Sequence, residues 1–356
     1  MKYHFCTCFD NNYLLYGYTL YKSLLNTGAD FVLYIVCLDT AVYDNLKKLS
    51  LSYVELISLE EIEDADPEFA ATAQTRNRIE YIFTLSPVMP LYILKKYPMI
   101  DILTYLDADL YFFTAPSRMY QHLGDHSVLV VEHDFYPDQA ENATLYGRFN
   151  MAFQLYRNDE TGRACLGHWR KQCIEWCYDR VEDGKFADQK YLEEWPEKFQ
   201  AVIAPNDSGA GLAQWNCGKH QFDFSGETPT VDNNPVIYYH YQGCKLMEMD
   251  IVVATSAPYN KYIPNKVSDY FYSTYYQALY SAKKELAERL PAGGLRFVYQ
   301  FQREKSGQNK PSKLKQFFRK YVAKIPYFFN GMLTWRGRRV APLIYRLFYY
   351  KNVIGK

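Results

Sequence analysis

Residues 104–112 read Thr-Tyr-Leu-Asp-Ala-Asp-Leu-Tyr-Phe. The apolar run from Ile102 to Leu106 predicts a short central strand. It ends on Asp107 and Asp109, two residues apart. Along an extended backbone, residues i and i+2 point to the same side. The spacing therefore predicts two carboxylates converging just beyond the carboxyl end of a central strand, where open α/β sheets bind ligands. Hard carboxylate oxygens suit Mg²⁺ or Mn²⁺. A divalent cation held there can neutralise charge on a diphosphate leaving group. The plainer alternative is a solvated loop with two surface acids. Against it, the pair is wedged between apolar runs, and acids near a core need a partner.

Working outward, residues 3–9 (Tyr-His-Phe-Cys-Thr-Cys-Phe) predict a buried strand, and Asp10-Asn-Asn12 a loop and helix start. Apolar residues at 14, 15, 18, 20, 24 and 25 predict a helix to about Leu25. Phe31 to Leu38 predicts a second strand, followed by a helix near 41–49 and a strand near 53–57. This βαβαβ rhythm implies a parallel sheet with helices on both faces. Residues 74–97 predict a helix interrupted by Pro87 and Pro90. Beyond the aspartates, strands are expected at 127–132, 149–156 and 236–241, and a helix at 160–180.

Length and composition bound the reading further. The chain has 356 residues, 48% hydrophobic, with 35 Tyr. An excess of Tyr suits sugar stacking and membrane interfaces as well as cores. The formal net charge of +0 hides an asymmetry. Residues 303–356 carry 14 Lys and Arg and a single acid, Glu304, which leaves 26 basic and 39 acidic residues in 1–302. The body is near −13 and the tail near +13. In the tail, Leu314, Phe317, Phe318, Tyr321 and Val322 fall at helical spacing among Lys313, Lys315, Arg319 and Lys320. Trp335 to Phe348 repeats the theme. Such a segment predicts a peripheral anchor on an anionic membrane surface. A nucleic-acid patch and an ordinary packed helix pair are the alternatives, and nothing else in the chain points to nucleic acid. Eight Cys lie mostly in apolar stretches and no secretory signal is visible, so free thiols in a reducing cytoplasm are expected. Cys173-x3-Cys177 has no second pair at zinc-ligand spacing.

Tyr105-Leu-Asp-Ala-Asp109 resembles the core motif of nucleotide-diphospho-sugar transferases with the GT-A fold. Cys8-Phe-Asp-Asn-Asn-Tyr13, with Lys22-Ser23 behind it, resembles the first strand and helix of the retaining, glycogenin-like family. Tyr239-His-Tyr-Gln-Gly-Cys-Lys245 is similar to that family's late His-Phe-x-Gly motif, and Phe186-Ala-Asp-Gln-Lys-Tyr-Leu192 to its Asp-Gln segment. Gly147-Arg-Phe-Asn150 and Ala213-Gln-Trp-Asn216 are similar to bacterial members of the superfamily. The resemblance covers roughly residues 3–250. It implies that Cys8, Asp10 and Asn12 contact the nucleoside, that Tyr13 belongs to the same donor site, and that His240 joins Asp107 and Asp109 as third metal ligand. It further implies that Gly243 and Lys245 lie near the phosphates, that Asp188 and Gln189 lie under the transferred sugar, and that Asn150, Trp215 and Asn216 contact substrate. An imidazole among carboxylates shifts preference toward Mn²⁺. Two departures stand out. Tyr81-Ile-Phe-Thr84 occupies the place of the family's Arg-Leu, and the Lys after the late Gly is one residue closer than usual.

These readings predict an α/β chain of GT-A type. Its Rossmann-like mixed, mostly parallel sheet would span 1–302, with a basic helical extension over 303–356. The expected activity is metal-dependent transfer of a sugar from a nucleotide-diphosphate donor, UDP-linked, to a glycan or glycolipid. Retention of configuration is expected, in bacterial surface polysaccharide or lipopolysaccharide synthesis at the inner face of the cytoplasmic membrane. Asp134 and Asp138 would serve as bases in an inverting enzyme. Aspartyl-phosphate phosphatases also carry Asp-x-Asp after a strand, but near the N-terminus and followed by Thr or Val, where this chain has Tyr111. Sugar nucleotidyltransferases share the fold type but carry a Gly-rich basic loop after the first strand, unlike Asp10-Asn-Asn-Tyr13. A catalytically silent membrane-associated binding protein is the alternative outside enzymes.

Overall fold

A computed structural model describes residues 1–246, 252–253, 262–291 and 293–295. The first half alternates strand and helix as the apolar periodicity dictates: β1 Tyr3–Phe9, α1 Leu14–Asn26, β2 Phe31–Cys37, α2 Thr40–Leu49 and β3 Val54–Ser58. Two short helices, α3 Leu59–Ala65 and α4 Pro67–Ala71, lead to the long α5 Arg78–Lys96. The aspartates follow β4 Ile102–Leu106 and precede β5 Leu110–Phe112. Next come α6 Ser117–Leu123, β6 Val128–Glu132, α7 Glu141–Tyr146, β7 Phe149–Arg157, α8 Glu160–Glu175 and α9 Trp195–Lys198. Short strands β8 Val202–Ile203 and β9 Leu212–Ala213 precede a small meander, β10 Phe222–Asp223, β11 Thr230–Val231 and β12 Asn234–Pro235. β13 Tyr238–His240, β14 Lys245–Leu246, β15 Val252–Val253 and α10 Asn265–Arg289 complete the described chain.

The central sheet runs β3-β2-β1-β4-β7-β6-β8. β1 pairs in parallel with both β2 and β4, and β2 in parallel with β3. β7 is antiparallel to β4 and to β6. The sheet is thus mixed and mostly parallel on its β3 side. Strand order reverses between β1 and β4, and their carboxyl ends carry Asp10 and Asp107. A crevice outside the strand ends at such a switch point is the usual ligand site of open α/β sheets.

One apolar cluster joins α1, α2, α10 and β13 on one face, and a second joins α5, α8 and the 192–195 segment on the other. Much of the tyrosine excess is core: among the described residues fifteen Tyr are buried, including Tyr239, Tyr241 and Tyr275. The Tyr241 and Tyr275 rings stack at 3.8 Å and 8°. All eight cysteines are free thiols.

Two element boundaries differ from the sequence reading. α5 is continuous through Pro87 and Pro90, both buried. It is held by a capping box at Asn77 and Glu80, and its apolar face is covered by α8 and the sheet, so packing outweighs the lost backbone bonds. α8 ends at Glu175 rather than near 180, because Trp176 takes extended dihedrals. The expected basic extension, 303–356, lies outside the described residues. No helix among the described residues is long and apolar enough to cross a membrane.

Candidate metal and donor site

Strand pairing assembles the centre. β4 sits between β1 and β7, and the Asp107 N–H donates to Ala152 O at 2.9 Å, extending the β7 pairing one residue past the strand. Residues 107–109 are a turn rather than the extended segment expected from i, i+2 alternation, with Leu110 N–H donating to Asp107 O at 3.3 Å. The two carboxylates converge nonetheless across the turn. β5 then pairs antiparallel with β13, setting His240 opposite Leu110. Tyr241 N–H donates to Asp109 O at 3.0 Å and fixes the register.

The result is a cluster of Asp107, Asp109 and His240 whose ligand atoms lie within 4.8 Å of one another. His240 Nε2 is 3.2 Å from Asp109 Oδ1 and 3.8 Å from Asp107 Oδ2. His240 and Asp109 are buried, and Asp107 opens to solvent with its side chain 32% exposed. Burial pushes the Asp107 carboxyl up, and Asp109 adds to the rise against His240. Burial also lifts Asp109, but His240 and Lys245 outweigh it and hold that carboxyl low. Burial would lower His240, and the two carboxylates more than reverse it. Two carboxylates at this separation repel each other unless a cation lies between them. Two hard oxygens and one imidazole nitrogen fit Mn²⁺ or Mg²⁺. Around them, Tyr105 OH donates to Asp107 Oδ1 at 3.1 Å and orients that ligand. Behind His240 the Trp215 ring packs edge-on at 5.4 Å and 87°. His240 Nδ1 and Trp215 Nε1 are buried with no hydrogen-bond partner among the described residues.

Gly243 has φ of 72°, the left-handed region that a Cβ disfavours, and Cys244 N–H closes the turn onto Tyr241 O at 2.8 Å. This reversal brings buried Lys245 to the Tyr13 hydroxyl, which its ammonium donates to, and over the Tyr13 ring at 3.9 Å. Burial lowers the Lys245 ammonium, with Asp109 pulling the other way.

On the far side of the switch point, Asp10 Oδ1 accepts from the N–H groups of Asn12 (2.9 Å) and Tyr13 (3.2 Å). Asp10 Oδ2 accepts from Asn12 Nδ2 at 3.2 Å and from Arg78 at 2.7 Å. Cys8 lies between Asp10 and Asp107, and burial followed by those carboxylates and Asp188 pushes its thiol up to about 12. Asp188 is 4% exposed, and burial lifts its carboxyl to about 7, with a Ser86 hydrogen bond opposing and Asp107 adding. Its backbone carbonyl accepts from Trp169 Nε1 at 2.8 Å. Gln189 Nε2 donates to Tyr146 O at 2.7 Å.

The three residues expected to meet substrate are placed differently from one another. Trp215 backs His240. Asn150 is buried, its Oδ1 accepting from Ala152 N–H at 2.7 Å beside Asp107. Asn216 commits its amide to backbone: Nδ2 donates to His133 O and Gly211 O, and Oδ1 accepts from Ala213 N–H. Arg78 and Ser86, both on α5, are partners the sequence reading missed. The signal for Arg78 was present, since Asn77-x-x-Glu80 marks the start of a helix and Arg78 is its first residue.

A mixed α/β sheet with a carboxylate–imidazole cluster at its switch point defines a ligand-binding, cation-ready class of open-sheet protein. Within it, the chain belongs to the family of the uncharacterized protein YfnF of Bacillus subtilis (strain 168), with 30% identity over 253 residues, 69% of this chain and 83% of YfnF. It is also similar to YfnD of the same organism, 28% identical over 247 residues, 69% of this chain and 79% of YfnD. No family profile matches the chain. Among solved structures it is similar to the galactosyltransferase LgtC in complex with donor and acceptor sugar analogues. That likeness has a TM-score of 0.48 at 15% identity, over 82% of this chain and 100% of LgtC.

Proposed function

We propose that this protein is a metal-dependent glycosyltransferase taking a sugar from a nucleotide-diphosphate donor, UDP-linked, to a glycan or glycolipid acceptor. The observation that carries the reading is the Asp107–Asp109–His240 cluster at the switch point, with buried Lys245 beside it. Asp107, Asp109 and His240 would hold Mn²⁺ or Mg²⁺, which when bound supplies positive charge to a departing diphosphate. Lys245, already partly stripped of water, releases Tyr13 and meets a phosphate oxygen as a point charge. Asp10, Asn12 and Tyr13, pre-set by hydrogen bonds, receive the nucleoside against Cys8. Gly243 allows the backbone to approach the phosphates closely.

Asp188 and Gln189 orient the transferred sugar. Asp188 is recessed beside Asp107, where it meets the donor sugar rather than an acceptor hydroxyl arriving from solvent. This favours retention, with a donor phosphate oxygen taking the acceptor proton. Asn150, Trp215 and Asn216 act through the residues they hold in place: Asn150 behind Asp107, Trp215 behind His240, Asn216 in the loop beneath both. The proposal divides the chain into a transferase unit, 1–302, and a basic aromatic segment, 303–356, that holds it to an anionic membrane face. An acceptor in surface polysaccharide or lipopolysaccharide synthesis follows from that placement.

The test is donor hydrolysis. Purified protein is incubated with UDP-, GDP-, dTDP- and CDP-sugars, with and without Mn²⁺, and released nucleoside diphosphate is measured. Release from one donor is expected, dependent on Mn²⁺ and at least a hundredfold lower in Asp109→Asn, since one charge-stabilising group is worth ~10²–10³ in rate. No release from any donor, together with no Mn²⁺-dependent UDP binding, would overturn the reading.

A further inference from the structure

The helix α7, Glu141–Tyr146, buries none of its own residues. Its last two side chains, Leu145 and Tyr146, are 40% and 38% exposed, although large apolar groups ordinarily seek cover. The helix is held by side chains from the segment carrying Asp188. Gln189 Nε2 donates to Tyr146 O at 2.7 Å, and Lys190 Nζ donates to Ala143 O at 3.2 Å. Gly147, at a φ of 112° that side chains rarely adopt, turns the chain away within van der Waals reach of Gln189 and Lys190. The Tyr146 ring meets the half-buried Phe186 ring edge-on at 4.9 Å and 68°. Between Phe186 and Asp188, Ala187 takes a left-handed φ of 47°. That turn leaves Phe186 toward solvent while Asp188 goes inward. Among the described residues the Tyr146 hydroxyl has no hydrogen-bond partner.

The geometry points to Tyr146, braced by Phe186, as a stacking platform for the pyranose ring of the acceptor. This rests on the glycosyltransferase reading and names where its second substrate lies. Asp188 is buried near Asp107, and the next residue, Gln189, reaches the backbone carbonyl of the exposed Tyr146, so the segment leads from the buried carboxylate to the solvent rim. A donor laid against Asp107 and Asp188 occupies the floor, so a ring on Tyr146 sits over it from the solvent side. A pyranose presents a face of C–H groups that suits an aromatic ring, and hydroxyls on its rim that suit polar neighbours. Sugar sites combine such aromatic faces with a few placed polar groups. Here the phenol oxygen of Tyr146 supplies one. The ring is fixed without a core beneath it, because Gln189 and Lys190 brace the backbone of α7. That costs less entropy on binding than ordering a loose side chain would.

The experiment uses the full chain with UDP and Mg²⁺, a diamagnetic cation that permits NMR. Methyl glycosides of glucose, galactose, mannose and N-acetylglucosamine are titrated by saturation-transfer NMR against the wild type, Tyr146→Ala and Tyr146→Phe. UDP affinity is measured in parallel by calorimetry. The expected result is that at least one glycoside binds the wild type. Tyr146→Ala should weaken it about tenfold, the scale of one aromatic contact, and Tyr146→Phe should keep it within a few-fold. UDP affinity should stay level across the three proteins, which also shows that the variants are folded. If UDP binds but no glycoside does, or if glycoside binding survives Tyr146→Ala, the platform is wrong and the donor reading stands. If UDP itself fails to bind the wild type, the function reading falls and the platform with it.

Discussion

Asp188 is a carboxylate that the fold buries beside another carboxylate, and the consequence is measurable without any substrate. Burial raises its acid to about 7 from an ordinary 3.8. Between those values the folded chain keeps a proton that the unfolded chain has released. The folded state then binds the extra proton, so this group's contribution to stability falls as pH rises from about 4 to about 7. In cation-free protein, Asp188→Asn should therefore gain more stability over the wild type at pH 8 than at pH 5. The difference between the two pH values should be on the order of 2–3 kcal/mol. Urea unfolding in EDTA at both values reads it directly, and an equal offset at both pH values would contradict it. The same residue shows where sequence reasoning reached and where it stopped. Asp107, Asp109 and His240 were legible as a set because strand-end spacing and a late His motif each carry chemistry. The turn at 107–109, the Arg78 bond to Asp10 and the Ser86 bond to Asp188 were not. The two bonds join positions far apart in the chain, which no local pattern encodes.

At the scale of elements, α1 shows how closely the helix layer packs on β1. Gly17 faces the Phe9 ring of β1 so tightly that a Cβ would overlap it. Phe9 is 2% exposed and immediately precedes Asp10, so the ring has no free volume into which to retreat. Two effects oppose each other in Gly17→Ala: better helix propensity, ~1 kcal/mol, and overpacking, ~1–3 kcal/mol. The second should prevail, leaving the variant less stable by up to about 2 kcal/mol in urea unfolding; a variant more stable than the wild type would mean that Phe9 can rotate away. The β1-α1-β2-α2-β3 run was readable because each strand is a short apolar block and each helix repeats its apolar face every three to four residues. β7 was readable as a strand, but its antiparallel pairing with β4 was not. Direction depends on the long connection through α6, β6 and α7 rather than on residues 149–157. α5 illustrates the opposite failure: its two prolines argue for a break, and burial against α8 overrides them.

For the whole molecule, the decisive feature is the separation of charge between 1–302, near −13, and 303–356, near +13. The last described residues, 293–295, are tied to the loop after β1 and to α2: Gly294 O accepts from Asn11 Nδ2 at 3.1 Å and from Asn45 Nδ2 at 3.0 Å. Asn11 stands directly between Asp10 and Asn12, so residues 293–295 lie beside the proposed donor entrance, and the basic segment follows later in the sequence. A tail that engaged anionic headgroups would turn that entrance toward the bilayer, where the proposed lipid-linked acceptor would lie. Each Lys or Arg at such a surface contributes about 1 kcal/mol, screened over roughly 10 Å at 0.1 M salt. The full chain should therefore float with vesicles containing phosphatidylserine or phosphatidylglycerol. It should float far less with phosphatidylcholine alone, and partly detach as NaCl rises from about 0.1 to about 0.5 M and the screening length shortens. A 1–302 chain should stay at the bottom of the gradient. Retention at high salt would assign the attachment to Phe317, Phe318 and Trp335 sinking into the interface rather than to charge. Equal flotation of the full chain and 1–302 would remove the tail from the account and return the acceptor question to the rim around Tyr146.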